Sequence, residues 1–250
     1  MSSWTLDPAY AERPAGALFA DLDKVFALEG ETITRDEISE VHRLQVGGQH
    51  FYVKRYVAAG KNLRRFIGRP RIRAEWENLL KFKRWGIPTV PVVGYGMQRR
   101  GLMFERGALI TLGIPNTRDL ASLAGTEHAL LKNAVWRRSV IGQVAQATRT
   151  MHDHGFAHND LKWRNILVDA QIPPRIYLID CPAGSKWPGP LLNYRIIKDL
   201  ACLDLDKLGK YHLRQTDRLR FYLDYTGRDR LDSRDKQRIK RILCFFEGRA

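Results

Sequence analysis

His158-Asn159-Asp160-Leu161-Lys162-Trp163-Arg164-Asn165, joined by Ile179-Asp180 at the end of a second apolar run, is the stretch on which the reading of this 250-residue chain turns. Its residue types match the needs of phosphoryl transfer. One carboxylate must orient and deprotonate an acceptor hydroxyl, while an amide oxygen and a second carboxylate hold Mg2+ on nucleotide phosphates. Asp160, Asn165 and Asp180 supply those three groups. Ile166-Leu167-Val168 and Ile176-Tyr177-Leu178-Ile179 read as short buried strands, with a Pro-rich turn from Asp169 to Arg175 between them. Such a hairpin brings Asn165 and Asp180 to one edge, and two oxygen ligands there suit a hard cation that keeps waters and phosphate oxygens as its other ligands. A reading in which Asp160 and Asn165 only cap turns requires none of the elements found upstream.

Those elements begin with a strand-like alternation over residues 30–57, broken by the Gly-Gly hairpin signature of Val46-Gly47-Gly48-Gln49-His50. Lys54 follows the apolar strand core of Phe51-Tyr52-Val53, where its side chain reaches a nucleotide phosphate if it is not simply a solvated strand lysine. Apolar positions 72, 76, 79, 80 and 82 predict a helix that closes near Gly86 and Pro88. Glu75 lies on it beside the buried stripe and is expected to pair with Lys54. The competing Glu77, two positions on, falls on a different face. Val90 to Tyr95 and Leu102 to Arg106 complete a strand-rich half, so Glu105 and the stretch after it are expected near the adenine. From Glu127 the pattern turns helical, with one helix over Ala134–Asp153 that stops at His154-Gly155. His152, His154 and His158 crowd together and raise a transition-metal alternative, set against an imidazole that hydrogen-bonds backbone and stiffens the loop.

Composition bounds the partners. Lys and Arg number 42 against 27 Asp and Glu, a net charge of +15 with a pI near 10.0, which implies polyanionic company: nucleic acid, anionic lipid or a phosphorylated substrate. Three cysteines without paired spacing fit a reducing cytoplasm. The first residues lack a basic segment followed by an apolar one, and no apolar run approaches 18 residues, so neither secretion nor a membrane span is expected. Peripheral attachment to the inner face of the cytoplasmic membrane is compatible with the basic charge.

With these elements in order, the chain resembles the protein-kinase-like superfamily, and within it the lipopolysaccharide core kinases that phosphorylate Kdo or heptose. The resemblance rests on Tyr52 to Tyr56, Glu75-Trp76 leading to Gly86-Ile87-Pro88, His158 to Asn165, Ile179-Asp180, Lys198-Asp199-Leu200-Ala201 and Thr216 to Phe221. It implies an α+β, two-lobed protein-kinase-like fold: a small antiparallel-sheet N-lobe with one main helix (1–106), a hinge (107–116) and a helical C-lobe (117–250). By the same resemblance Lys54 binds the phosphates of ATP, Glu75 positions Lys54, Asp160 is the catalytic base, and Lys162 steadies the transferred phosphoryl group. Asn165 and Asp180 hold Mg2+, and Asp199 supports the catalytic loop from beneath.

Three departures carry consequences. Thr34 to Ser39 occupies the place of the phosphate loop without a glycine, Cys181-Pro182 follows Asp180 in place of Phe-Gly, and Asn159 replaces the arginine that would read an activating phosphate. An enzyme that is always switched on is expected. Only 18 residues separate Asp180 from Asp199, too few for docking a protein substrate, so a small-molecule or glycolipid acceptor is favoured. Lys61, Arg64, Arg65, Arg69, Arg71 and Arg73, broken by Leu63, Phe66, Ile67 and Ile72, suit an anionic and partly apolar surface such as a core oligosaccharide on lipid. A second basic stretch, Arg228 to Arg241, reads as the exposed face of a final helix whose Leu231, Ile239, Ile242 and Leu243 face the core. The leading expectation is a Mg-ATP sugar kinase acting on heptose or Kdo. The alternatives are a soluble kinase of the aminoglycoside or choline type, which the charge opposes, a nucleic-acid-binding module, for which no motif is present, and a pseudokinase, which the complete residue set opposes.

Overall fold

The computed structural model describes residues 2–60, 68–126, 129–204 and 213–247. They form two compact units, Met1–Lys81 with Val90–Pro115, and Phe82–Thr89 with Asn116–Ala250.

The first unit is built on β1 (Ser2–Leu6), β2 (Glu31–Arg35), β3 (Ser39–Val46), β4 (Gln49–Tyr56), β5 (Val92–Arg100) and β6 (Met103–Leu112). They make one antiparallel sheet in the order β1-β5-β6-β4-β3-β2. Gly47 and Gly48 both take positive φ, 57° and 76°, the backbone that a two-residue turn between twisted strands requires. Side chains alternate across β4, so Phe51 and Val53 face one way and Tyr52, Lys54 and Tyr56 the other. The Phe51 face is covered by three short helices, α1 (Pro8–Ala11), α2 (Pro14–Leu18) and α3 (Leu22–Ala27); their Tyr10, Leu22 and Val25, with Phe19 just after α2, pack with Phe51, Val53, Val93, Ala108 and Ile110. The Lys54 face meets α4 (Arg71–Arg84): Ile72 lies against Gly107, and Trp76 packs on Tyr95 with ring centroids 5.3 Å apart. Neither β1 nor the three helices was expected from sequence, because helices of four to six residues are too short to display a period.

The connecting stretch expected over 107–116 begins as strand. β6 runs to Leu112 because Ala108, Leu109 and Ile110 are core positions, at most 2 % exposed. In the basic cluster, Arg69 and Arg73 both pair with Glu77, at 3.0 and 2.7 Å, which leaves one net positive charge on the three, while Lys61, Arg64 and Arg65 lie outside the described residues.

Buried in the first unit, Arg55 donates to the Leu28 carbonyl and to Glu40, which also accepts from Arg35 at 2.7 Å and lies 3.1 Å from His42 Nε2. Burial pushes the Glu40 carboxyl up, but the hydrogen bonds from Arg35 and His42 outweigh it, leaving its pKa lowered from 4.5 to about 2. Stabilisation from Glu40 is therefore complete above pH 4.5 and drains away as the pH falls toward 2. Urea titrations of the wild type and Glu40→Gln are expected to differ most at neutral pH and to converge in acid. A difference that does not change with pH contradicts the assignment.

The second unit contains α5 (Leu120–Gly125), α6 (Ala134–Asp153), α7 (Gly189–Asp204), α8 (Gln215–Thr226) and α9 (Ser233–Leu243). Asn133 caps α6 by accepting from the N–H groups of Val135 and Trp136, at 3.0 and 3.1 Å, and Gly155 at φ 67° turns the chain out at the other end. Its helical core gathers Ala145, Ile197, Leu200, Tyr222, Tyr225 and Ile242. Leu243 is 53 % exposed, contrary to the sequence expectation, because it lies one residue, about 100° of helix, beyond the buried Ile242. Two small antiparallel sheets complete the unit: β7 (Thr117–Asp119), β9 (Ile166–Asp169) and β10 (Ile176–Leu178) in one, β8 (Phe156–Ala157) with β11 (Ser185–Lys186) in the other. Thr89 bridges to Leu178 through a 2.7 Å hydrogen bond, and Phe82 packs edge-on against Phe156. No helix among the described residues is long and apolar enough to cross a membrane.

Candidate active site

In the first unit, β4 aims Lys54 at α4, where its ammonium donates to Glu75 Oε1 at 2.9 Å. Tyr56, two residues on and therefore on the same face, donates its hydroxyl to Glu75 Oε2 at 3.0 Å. Both carboxylate oxygens are thus engaged, and the pair is largely withdrawn from water, with side-chain exposures of 18 % for Lys54 and 4 % for Glu75. Removing either partner strands the other charge, which is why such a pair holds its geometry. Tyr56 was not anticipated, although its i+2 spacing from Lys54 was a readable signal. Glu77 turns to Arg69 and Arg73 and takes no part.

The turn between β2 and β3 is closed by its own acid. Asp36 accepts from the N–H groups of Ile38 and Ser39, at 2.9 and 2.7 Å, and from the Ser39 hydroxyl. Those two backbone donors are committed within the turn, consistent with the missing glycines. Glu105 is not brought to Lys54. Lys54 lies opposite Leu109, whereas Glu105 sits roughly 13 Å back along β6, at the other end of that strand from Leu112. There it pairs with Arg100 at 3.3 Å beside the β5–β6 turn. Placing it near an adenine required the strand register, which the sequence did not reveal.

In the second unit, Ile166 is registered with Leu178, and the Ile179 N–H donates to the Asn165 carbonyl at 3.0 Å. Asn165 and Asp180 therefore occupy the same end of the β9–β10 hairpin, as the spacing implied. The Asn165 NH2 donates to the Asp160 carbonyl at 2.9 Å, which fixes the backbone under Asp160 and leaves the amide oxygen out of this bond. Asn159 and Asp180 are held at φ 65° and 56°, a region that costs energy for residues other than glycine and that collects at functional sites.

Asp160 carries a cation on each oxygen: Lys162 Nζ 2.6 Å from Oδ1 and Arg164 Nη2 3.4 Å from Oδ2. Burial raises its pKa, but the Lys162 hydrogen bond and the charges of Lys162 and Arg164 prevail and hold the carboxyl below 3.8, so it is ionised at neutral pH. His158 is fully buried, and desolvation lowers its pKa below 6.5 despite the nearby carboxylates of Asp199, Asp180 and Asp160. Its ring nitrogens have no hydrogen-bond partner, and the ring stacks on Phe82. The loop is stiffened instead through its backbone: Asp199 accepts from the N–H groups of His158 and Asn159 at 2.7 and 2.8 Å. Behind Asp199 stands His152, 3.4 Å away, which also meets the Tyr225 hydroxyl at 2.9 Å. His154 stacks on Trp85. The three histidines do not converge, and among the described residues no group of three His, Cys, Asp or Glu could hold a metal. The two oxygen donors of Asn165 and Asp180 remain, a set that fits Mg2+ bound jointly with phosphate oxygens.

Asn159 does more than lack the charge of arginine. Its amide donates to the Ala183 carbonyl at 2.9 Å and its oxygen accepts from Arg195, which stacks over Trp187 at 4.4 Å. The segment after Asp180 is thereby pinned to the loop that carries Asp160 without a phosphate. Asn159→Ala is expected to lower the turnover number about three- to tenfold, while phosphatase treatment of the wild type leaves its rate unchanged; initial-rate assays of both decide it.

The family model for lipopolysaccharide kinases (Kdo/WaaP) matches residues 23–216. A probable serine/threonine-protein kinase of fowlpox virus (strain NVSL) is 31 % identical over 107 residues, 43 % of this chain and 33 % of that protein. A 3-deoxy-D-manno-octulosonic acid kinase of Actinobacillus succinogenes (strain ATCC 55618 / DSM 22257 / CCUG 43843 / 130Z) is 30 % identical over 95 residues, 38 % of this chain and 37 % of that protein. The chain thus spans about a third of the length of the curated relatives it matches. A solved structure of WaaP in complex with acyl carrier protein superposes with a TM-score of 0.76 at 21 % identity, covering 99 % of this chain and 97 % of that one. The α+β, protein-kinase-like fold expected from the sequence is the fold of that structure. With the family model spanning most of its length, the chain is a member of the lipopolysaccharide kinase (Kdo/WaaP) family.

Proposed function

We propose that this protein is an ATP-dependent kinase that phosphorylates a hydroxyl of heptose or Kdo in the lipopolysaccharide inner core. The observation that carries this reading is the ionised Asp160 anchored on Asn165, with Asp180 at the same hairpin end, in a chain of this family. Asp160 accepts the proton of the acceptor hydroxyl as the oxygen attacks. Lys162 leaves Asp160 to neutralise charge on the transferred phosphoryl group, and Lys54, aimed by Glu75 and Tyr56, binds nucleotide phosphate. Asn165 and Asp180 would hold Mg2+, which would shield the phosphate charge. The Asp36-closed turn leaves phosphate binding to these side chains and the metal. Labelled γ-phosphate, followed from Mg-ATP into dephosphorylated core lipopolysaccharide and mapped by mass spectrometry, is expected on heptose or Kdo. A protein that binds ATP yet transfers nothing to the glycolipid contradicts the proposal and favours a small-molecule acceptor.

The basic charge supports work at the anionic inner face of the cytoplasmic membrane. A protein partner is supported by a second observation: the second unit carries a half-open apolar pocket of about 410 Å³ lined by Trp136, Val140, Ile141, Val144, Leu200 and Tyr222. Its volume falls in the range of ligand pockets, and the structurally similar WaaP is complexed with acyl carrier protein. Acyl-loaded carrier protein is expected to bind more tightly than the unloaded form in a calorimetric titration; equal or absent binding contradicts that partner.

A further inference from the structure

Arg164 has no role in the mechanism above, yet with Lys162 it is one of two cations on the Asp160 carboxylate. It lies in a single 3-10 turn, Trp163–Asn165, between two anchored neighbours. Trp163 is buried and donates its indole N–H to the Leu203 carbonyl at 3.0 Å, while buried Asn165 is tied to the Asp160 carbonyl. Only Arg164 projects outward, with its side chain 61 % exposed and one guanidinium nitrogen 3.4 Å from Asp160 Oδ2.

A second cation on the base has a chemical cost, since stabilising the carboxylate makes it a weaker proton acceptor. Lys162 already supplies the positive charge that the transferred phosphoryl group needs. A guanidinium fixed beside the other oxygen repels an ammonium-bearing acceptor and attracts an anionic one, and its planar pair of donors matches an oxyanion in two-point contact.

We propose that Arg164 reads an oxyanion carried by the acceptor close to the hydroxyl that reacts. Resting on the glycolipid-kinase reading, this assignment narrows the substrate to an acidic sugar, or to a neutral one flanked by phosphate. In the bound state the guanidinium exchanges its long contact with Asp160 for the acceptor's anion.

The test compares the wild type with Arg164→Gln on four probes: a Kdo-terminated core fragment, its carboxyl-reduced counterpart, and a heptose-terminated fragment with and without its phosphate. Because the side chain is exposed, both proteins are expected to melt alike. Removing the responsible anion is expected to cost the wild type about 10- to 100-fold in kcat/KM. Arg164→Gln loses a similar factor on the anionic acceptor, through the acceptor KM, and little more when the anion is gone. Sensitivity to carboxyl reduction identifies a sugar carboxylate, and sensitivity to phosphate removal identifies a neighbouring phosphate; either supports the assignment. Equal losses by Arg164→Gln on anionic and neutral probes overturn it while leaving the kinase reading intact. A wild type that phosphorylates none of the four overturns both.

Discussion

Asp160→Asn is expected to lower the turnover number by ~10²–10⁴, the range that a positioned general base contributes. The substitution keeps the size and shape of the side chain but removes the basic oxygen. The structure argues that little else changes: Asn165 holds the Asp160 main-chain carbonyl, not its carboxylate, and Asp199 holds the two preceding residues by their backbone. Fold and nucleotide affinity should therefore survive, with a melting temperature and KM for ATP near those of the wild type. A variant that retains more than a tenth of wild-type turnover would remove Asp160 from the role of base.

The second large effect is on stability. Asp199→Ala leaves the buried N–H groups of His158 and Asn159 without their acceptor and deprives His152 of its neighbour. Each unsatisfied buried donor costs roughly 1–3 kcal/mol, so a loss of about 2–5 kcal/mol is expected, a large part of the typical stability of a domain. Asp199→Asn should fall between, since one oxygen still accepts while the new NH2 faces a donor. The strain stored in the left-handed Asn159 backbone makes this anchor more consequential. Urea denaturation measures both variants, and a change within about 0.5 kcal/mol for the alanine form contradicts the anchoring role.

The hairpin after Asp160 was legible in the sequence because two apolar runs flank a Pro-rich turn, and the structure pairs them as antiparallel strands. Glu75 over Glu77 was decided by helix periodicity, and the structure pairs Glu75 with Lys54. What failed was whatever depended on register or on distant contacts. Glu105 lies four residues along β6 from the Leu109 that faces Lys54, and Leu243 falls one step past the buried stripe. The bonds of Asn159 to Ala183, and of His152 to Asp199 and Tyr225, join residues far apart in the chain, and no local pattern announces them. The histidine cluster misled in the opposite direction: close in sequence, the three rings point to separate partners.

The most direct test of the account is an acceptor panel for the wild-type protein, with labelled Mg-ATP offered in parallel to dephosphorylated core lipopolysaccharide, an aminoglycoside, choline and a generic protein substrate. The account predicts label on heptose or Kdo of the core and none on the cationic small molecules or the protein. Label on an aminoglycoside or choline, with the glycolipid left unlabelled, would contradict it.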